Sequence, residues 1–233
     1  MKLRKITVKP ESRRHRWYED ACGAAHALDL IGERWALLVM RELMWGPKRF
    51  SDIKAGLPGI SANILTQRLE GLEAAGVLVR RKLPPPAAAQ VYELTAWGYE
   101  SEPIFQALGR WAARSPAHDP TLPFSAASLL LSLRTMLDPL RAKGIDARIG
   151  FRLGVETFTA HLADGHIEIA RGALDNVDAI FTGAPPVLAA AIYGGQSLES
   201  LEQADALRVE GDRALALRFM ALFPLPSKAE PPG

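Results

Sequence analysis

Residues 58–82, PGISANILTQRLEGLEAAGVLVRRK, restrict the fold more than any other stretch of this chain. Ser61 stands at an N-cap position, and Ile64, Leu65, Leu69 and Leu72 recur at helical spacing. Gly76 then supplies a left-handed stop, so the pattern predicts a helix from Ser61 to about Ala75. Upstream, Phe50, Ile53 and Leu57 predict a short helix over about 51–56, with Ser51 as its cap. Leu57-Pro58-Gly59 forms the turn between the two helices. Downstream, 77–83 and 91–94 read as strands, with PPPAAA (84–89) as a hairpin tip. A short helix, a turn, a capped helix and a two-stranded wing make a winged helix-turn-helix.

The polarity of the second helix is unusual. Its outer face carries Ser61, Asn63, Thr66 and Gln67, whereas a merely solvated helix favours Lys/Glu pairs four residues apart. Short uncharged donors and acceptors suit the base edges of a DNA major groove, where Asn and Gln pair with adenine. Arg80, Arg81 and Lys82 at the base of the wing, and Lys48 and Arg49 before the first helix, suit phosphates. The plainer alternatives are an amide-rich surface helix and a solvated charge cluster.

Charge agrees with a polyanionic partner for one half of the chain only. The net charge of +2 conceals 18 Lys+Arg against 12 Asp+Glu in residues 1–115, a net of +6. Residues 116–233 hold 10 against 14, a net of −4. The first sixteen residues contribute seven cations and one acid. Among these, Lys2, Arg4, Lys5, Arg13, Arg14 and Arg16 suit a minor-groove arm or, equally, a solvated tail. RSPAHDPTLPFS (114–125) has three prolines and no periodicity, and divides a basic module from an acidic one. The expected organisation is an arm over 1–20, a winged helix-turn-helix over 21–115 and an α/β domain over 124–226.

Within the first module, Ala27, Leu28, Ile31, Trp35, Leu38, Val39 and Leu43 keep helical spacing from about 24 to 45, with Gly32 as a break. Thr95 caps a last helix bearing Ile104, Phe105, Leu108, Trp111 and Ala112, in which Pro103 marks a kink or the effective start. The run CGAAHALDLIGERWALLVMRELMWGPKRFSDIKAGLPGISANILTQRLEGLEAAGVLVRRK, followed by VYELTAWGYESEPIFQALGRWA, resembles the HxlR family of bacterial winged helix-turn-helix regulators. The resemblance spans residues 22–112 and includes Arg34 and Trp35, RFSDI (49–53), PGIS (58–61), LTQRLEGLEAAG (65–76), YELT (92–95) and LGRW (108–111). It implies a homodimer using the first and last helices of the module, with Phe105, Leu108 and Trp111 as candidate contacts. It also implies a pseudo-palindromic operator and control of transcription. Arg68 matches the arginine of the family's LTQRL pattern, and its place at the edge of the apolar stripe suits bracing or a phosphate better than a base. Cys22 matches a cysteine with which some members sense oxidants. A thiol at a helix N-terminus is more acidic, although a small inert residue fits Cys22 as well.

The second module opens with an amphipathic helix predicted over 125–142, on Leu129, Leu130, Leu133, Leu137 and Leu140. Period-2 runs follow at Ile149, Phe151 and Leu153, then at Phe158, Ala160 and Leu162, and then at Ile167 and Ile169. Asp164-Gly165 predicts a hairpin that pairs Leu162 with Ile167 and Ala160 with Ile169. A strand over 178–182, a helix over 185–193, a short strand near 207–210 and a helix over 212–223 complete an α+β layer fold, an antiparallel sheet with helices on one side. This order, with its GDRALALRFMALF ending, resembles sterol carrier protein type 2-like domains. The resemblance implies an apolar tunnel for a lipid or other hydrophobic ligand, with Phe151, Phe158, Leu188, Ile192, Phe219 and Phe223 as candidate liners. Each of these is core by default.

Catalytic signatures are missing: there is no GxSxG, GxGxxG or Walker loop, and the single cysteine excludes a paired-cysteine zinc site. His161 and His166 flank the hairpin as diagonal neighbours but make a poor metal site without a third ligand. No cofactor or metal is expected. No run of about 18 apolar residues is present, and the N-terminus lacks a signal-peptide core. A cytoplasmic DNA-binding regulator is the expectation, gated by a hydrophobic ligand or by redox at Cys22. The alternative is a lipid-binding protein whose winged helix serves assembly.

Overall fold

The computed structural model describes residues 18–85 and 88–230. The basic arm proposed over 1–20 therefore lies outside the described residues up to position 17. Helices α1 (Gly23–Ile31) and α2 (Ala36–Leu43) are separated at Gly32, as the spacing predicts. Trp35 caps α2 with a left-handed backbone, φ 79°, an uncommon state for a bulky side chain. Helix α3 (Phe50–Ala55) begins one residue before the predicted Ser51 cap. Arg49 is its N-cap, and the Asp52 carboxylate accepts the Arg49 N–H at 3.4 Å. Helix α4 (Ala62–Ala74) is capped by Ser61, whose hydroxyl accepts the Ile64 N–H at 3.2 Å.

The wing is β1 (Leu78–Lys82) antiparallel to β2 (Gln90–Leu94), with Arg80 opposite Tyr92 and Arg81 opposite Val91. The last helical segment of the module is broken into α5 (Ala96–Tyr99) and α6 (Glu102–Ala113). Pro103 sits in the first turn of α6, where its missing N–H costs nothing. Thr95 ties this segment to the wing: its hydroxyl accepts the Gly98 N–H (3.0 Å) and donates to the Gly76 carbonyl (2.9 Å).

In the second half α7 (Ala126–Met136) is shorter than expected. Asp138 precedes Pro139, which disfavours helical geometry there. Its carboxylate accepts the Leu140 N–H at 2.9 Å in the following turn, and Leu140 is exposed rather than on a core stripe. Strands β3 (Ala147–Leu153), β4 (Glu156–Ala163), β5 (His166–Arg171), β6 (Ala179–Gly183) and β7 (Leu207–Gly211) form one sheet in the order β5-β4-β3-β6-β7. Leu162 pairs with Ile167 and Ala160 with Ile169, the register predicted from the Asp164-Gly165 turn. Both turn residues have positive φ, as a primed hairpin turn requires. One expectation is corrected: the central pair β3–β6 is parallel, so the sheet is mixed. The connection from β5 crosses the outer face before β6 begins, where Leu174 and Val177 approach Gly150. Helices α8 (Pro185–Tyr193) and α10 (Arg213–Met220) lie near the predicted positions. The short α9 (Leu198–Gln203), capped by Ser197, was not anticipated.

The two halves share one core that runs from Ala36 to Phe223. Residues 114–125 form no helix or strand, yet they do not hold the halves apart. Helix α7 packs on both α6 and α2. Arg134 of α7 makes a two-pronged ion pair with Glu102 (2.7 Å to each oxygen) and stacks 4.9 Å over the Trp45 ring. Arg110 of α6 donates to the Thr135 carbonyl. Residues 227–229 lie along the end of α6: the Ala229 N–H donates to the Arg114 carbonyl (2.7 Å), and Lys228 donates to the Ala113 and Ser115 carbonyls. Among the described residues no helix is long and apolar enough to cross a membrane, and no cluster of three metal-binding side chains exists.

Candidate nucleic-acid interface

Three apolar side chains seat α4. Leu65, Leu69 and Leu72 are buried in the core, which turns Asn63, Thr66 and Gln67 outward together. The side chains of these three make no hydrogen bond among the described residues, so their donors and acceptors are available to a ligand. Ser61 is exposed too, but its oxygen is engaged by the cap. The turn before α4 depends on Gly59, whose φ of +89° a side chain would strain.

The cations around this face divide into two groups. Arg49, Arg81 and Lys82 are exposed. Arg81 is held by Glu93 at 3.0 Å, a surface pair that costs little to exchange for a phosphate. Arg80 is more constrained: Glu73 accepts from it at 3.0 Å, and its guanidinium lies 5.5 Å over the Tyr92 ring. Lys48 and Arg68 depart from the phosphate-contact expectation. Lys48 is buried, with its ammonium 3.4 Å from Glu42 and 3.7 Å from Glu156, and cannot meet a phosphate where it stands. Arg68 donates to the Arg34 carbonyl (2.9 Å) and pairs with Glu33 (2.9 Å), so it braces α4 against the turn that enters α2. Trp35 stands on the same turn, and its ring lies 3.9 Å from where a Cβ at Gly59 would be.

Opposite α7, helix α6 leaves Ile104, Leu108 and Trp111 exposed, with Trp111 74% accessible. Leu28 of α1 and Trp97 of α5 are exposed as well, and Trp97 lines one cleft with Ile104. Between α1, α2, α5 and α6 lies a cleft of about 200 Å³, lined mainly by apolar groups including Leu30, Ile31, Met40 and Trp97. Phe105 is corrected from the candidate dimer set, because it is buried within its own chain. Ile104, one residue earlier on the same predicted stripe, is exposed in its place.

Cys22 is exposed and is the N-cap of α1. The first-turn amides of Ala25 and then Ala24 hold its thiol below the ordinary cysteine range, because they stabilise the thiolate.

In the second half the candidate tunnel liners fill the interior. The rings of Phe151, Phe181 and Phe219 meet at 5.9–6.0 Å, and Phe223 closes on Phe219 at 4.9 Å. Leu188 is fully buried, whereas Ile192 is partly accessible. Phe158 belongs instead to the junction of the halves, edge-on to Trp45 at 6.4 Å. Tyr193 is the polar exception in this interior. Its hydroxyl pairs with Ser132 at 2.8 Å, and burial raises its pKa well above the usual tyrosine value despite that bond. His161 pairs with Asp146 at 3.1 Å and, as the register dictates, lies diagonal to His166 on the outer face of the sheet.

Comparison with known proteins follows the same division. Residues 30–119 match the HxlR-like helix-turn-helix family and residues 130–224 match the SCP-2 sterol transfer family. The HTH-type transcriptional regulator YodB of Bacillus subtilis (strain 168) is 38% identical over 86 residues, which covers 37% of this chain and 77% of YodB. The uncharacterized HTH-type transcriptional regulator YvaP of the same organism is 37% identical over 86 residues, or 37% of this chain and 80% of YvaP. The solved reduced form of YodB aligns with 43% of this chain and all of its own, at 34% identity and a TM-score of 0.38. With most of the length of such regulators matched at this identity, the chain belongs to the HxlR-like helix-turn-helix family of transcriptional regulators and carries an SCP-2 sterol transfer domain behind the winged helix.

Proposed function

We propose that the chain binds a pseudo-palindromic DNA operator as a homodimer, with Asn63, Thr66 and Gln67 of α4 at base edges. Arg49, Arg81 and Lys82 contact flanking phosphates, and Arg80 joins them by exchanging Glu73 for a phosphate. The supporting observation is the exposed face of α4, whose uncharged polar groups make no hydrogen bond among the described residues and are bordered by cations. Its chemistry is that of direct readout in a major groove. The dimer forms through the apolar surface of Ile104, Leu108, Trp111 and Leu28, which also covers the cleft beside Trp97. Selection of duplexes from a random-sequence pool by the purified chain tests this reading. The expected result is an inverted repeat with half-sites about one DNA turn, or ~34 Å, apart. A pool without enrichment, bound only in a salt-sensitive manner, would refute it.

The SCP-2 match supports a second element, a hydrophobic ligand bound in the C-terminal domain that alters operator affinity. Because the aromatic interior is filled, such a ligand enters by displacing side chains rather than by occupying a standing tunnel. Native mass spectrometry of the purified chain should show a copurified lipid, and a strictly ligand-free domain counts against this element. Exposure and the lowered thiol pKa support Cys22 as a redox input, with an intersubunit or mixed disulfide as its product.

A further inference from the structure

Lys48 stands where three parts of the molecule meet. Its backbone N–H donates to the Tyr92 carbonyl (3.0 Å) and its carbonyl accepts the Tyr92 N–H (2.9 Å), which fastens the wing strand β2 to the entrance of the helix-turn-helix. The next residue, Arg49, caps α3. The buried Lys48 ammonium lies between Glu42 of α2 and Glu156 at the start of β4. Glu42 is fully buried and also accepts from Arg41 (2.8 Å) and from the hydroxyl of Ser125, the cap of α7 (2.7 Å). Glu42 presses so close to Gly56, just past α3, that a Cβ there would fall 2.4 Å from its carboxylate. Glu156 accepts from Arg171 of β5 at 2.5 Å, and that guanidinium covers the Phe158 ring that meets Trp45.

We propose that Lys48 and Glu156 are positioning residues through which the C-terminal sheet fixes the angle between the wing and the reading helix. This rests on the DNA-reading function proposed above. The wing cations and α4 must engage one duplex together; Lys48 is joined to the wing through Tyr92 and, through Arg49, to α3, the helix that precedes α4 in the motif. The Lys48 ammonium is the link between Glu42 of α2 and Glu156 of β4, so neutralising Glu156 leaves it paired with Glu42 alone and releases β4 from the entrance of the helix-turn-helix. A shift of β4 therefore acts on the DNA-binding surface without touching DNA.

The test compares Lys48→Met, Glu156→Gln and the double variant of the full chain on a duplex selected by the wild type. Each single variant should weaken binding by about tenfold, within the range that coupled residues show, and the double should weaken it no further. The dependence of affinity on salt should stay that of the wild type. A slope smaller by about one in Lys48→Met would make it a phosphate contact and overturn the proposal, as would additive losses in the double. Amide hydrogen exchange at Lys48, Tyr92, Asp52 and Ile53 gives a readout that needs no DNA. Glu156→Gln should accelerate exchange at these four while the melting profile by circular dichroism remains a single folded transition. Unchanged exchange would refute the coupling whatever the DNA result. If the wild type selected no duplex, the DNA-reading function would fall while the exchange data still decided the coupling.

Discussion

The two halves of this chain treat their most informative side chains in opposite ways. In the winged helix, Asn63, Thr66 and Gln67 face outward with no hydrogen-bond partner among the described residues, on a helix whose other side is locked by leucines. In the C-terminal half, Phe151, Phe181, Phe219 and Phe223 spend their contact surface on one another. One half advertises capacity at its surface, and the other conceals what it has in its interior. The lesson is that an interface for a polar polymer can stand preformed, because water satisfies its groups until the partner arrives. A site for an apolar molecule cannot stand empty so cheaply, because the void forfeits packing.

The largest effect that could break this contrast comes from the interior. Phe219→Ala should cost about 3–5 kcal/mol, as large-to-small aromatic substitutions in cores do. Since one core runs through both halves, the loss should appear in a single transition. All five tryptophans lie in residues 17–111, so their fluorescence reports the N-terminal half and, through Trp45 against Phe158, its junction with the C-terminal half. If circular dichroism of Phe219→Ala showed an early step that tryptophan fluorescence missed, the halves would be separate cooperative units. A smaller effect is expected at the surface, where Asn63→Ala or Gln67→Ala should cost about 1–3 kcal/mol of discrimination between the selected sequence and its variants. Arg81→Ala should instead weaken all duplexes alike and lower the salt slope by about one. Exchange of these two patterns in binding titrations would reverse the assignment of reader and grip.

Arg68→Ala tests the frame beneath that surface. Loss of the bonds to Arg34 and Glu33, part of them to an exposed partner, should cost about 1 kcal/mol of stability. It should also weaken operator binding with an unaltered salt slope. A slope reduced by one would restore Arg68 to the phosphate contacts. The smallest effect is kinetic. Because the amides of α1 lower the pKa of Cys22, its thiolate is present at lower pH than in an unfolded chain. The rate of iodoacetamide alkylation against pH should therefore reach its midpoint earlier in the folded protein than in the urea-denatured protein. Coincident midpoints would remove the local support for a redox role.

Much of the winged helix was legible in the sequence because its signals are local. Caps at Ser61 and Thr95, stops at Gly32 and Gly76, and the Pro103 start each act within a turn or two of the chain. The hairpin register of β4 and β5 followed from two residues, Asp164 and Gly165. Three kinds of feature were hidden. The parallel pairing of β3 with β6 depends on a connection over the sheet that carries little pattern of its own. The end of α7 was overestimated because the leucine spacing continued past a proline that the backbone obeys first. Lys48 was misplaced because a lysine next to an arginine before a DNA-binding helix looks solvated, while its two acidic partners lie six residues before it and 108 residues beyond it. Nothing local distinguishes Phe105 from Ile104 as the surface member of α6 until α7 is placed against that helix.

The contact of Glu42 with Gly56 has a consequence for how such a protein can change by mutation. Gly56 has an ordinary right-handed backbone, φ −74°, so any residue could adopt its conformation, and only the buried carboxylate excludes a side chain there. Position 56 cannot gain even a methyl group without displacing the Glu42 carboxylate from its partners. Glu42 cannot be lost first without stranding the Lys48 ammonium and the Ser125 hydroxyl that it holds. The two positions block each other's single-step routes. In a lineage that keeps the C-terminal domain attached, they should be exchanged together or left alone, whereas a winged helix freed of that domain would have one reason fewer to retain the glycine.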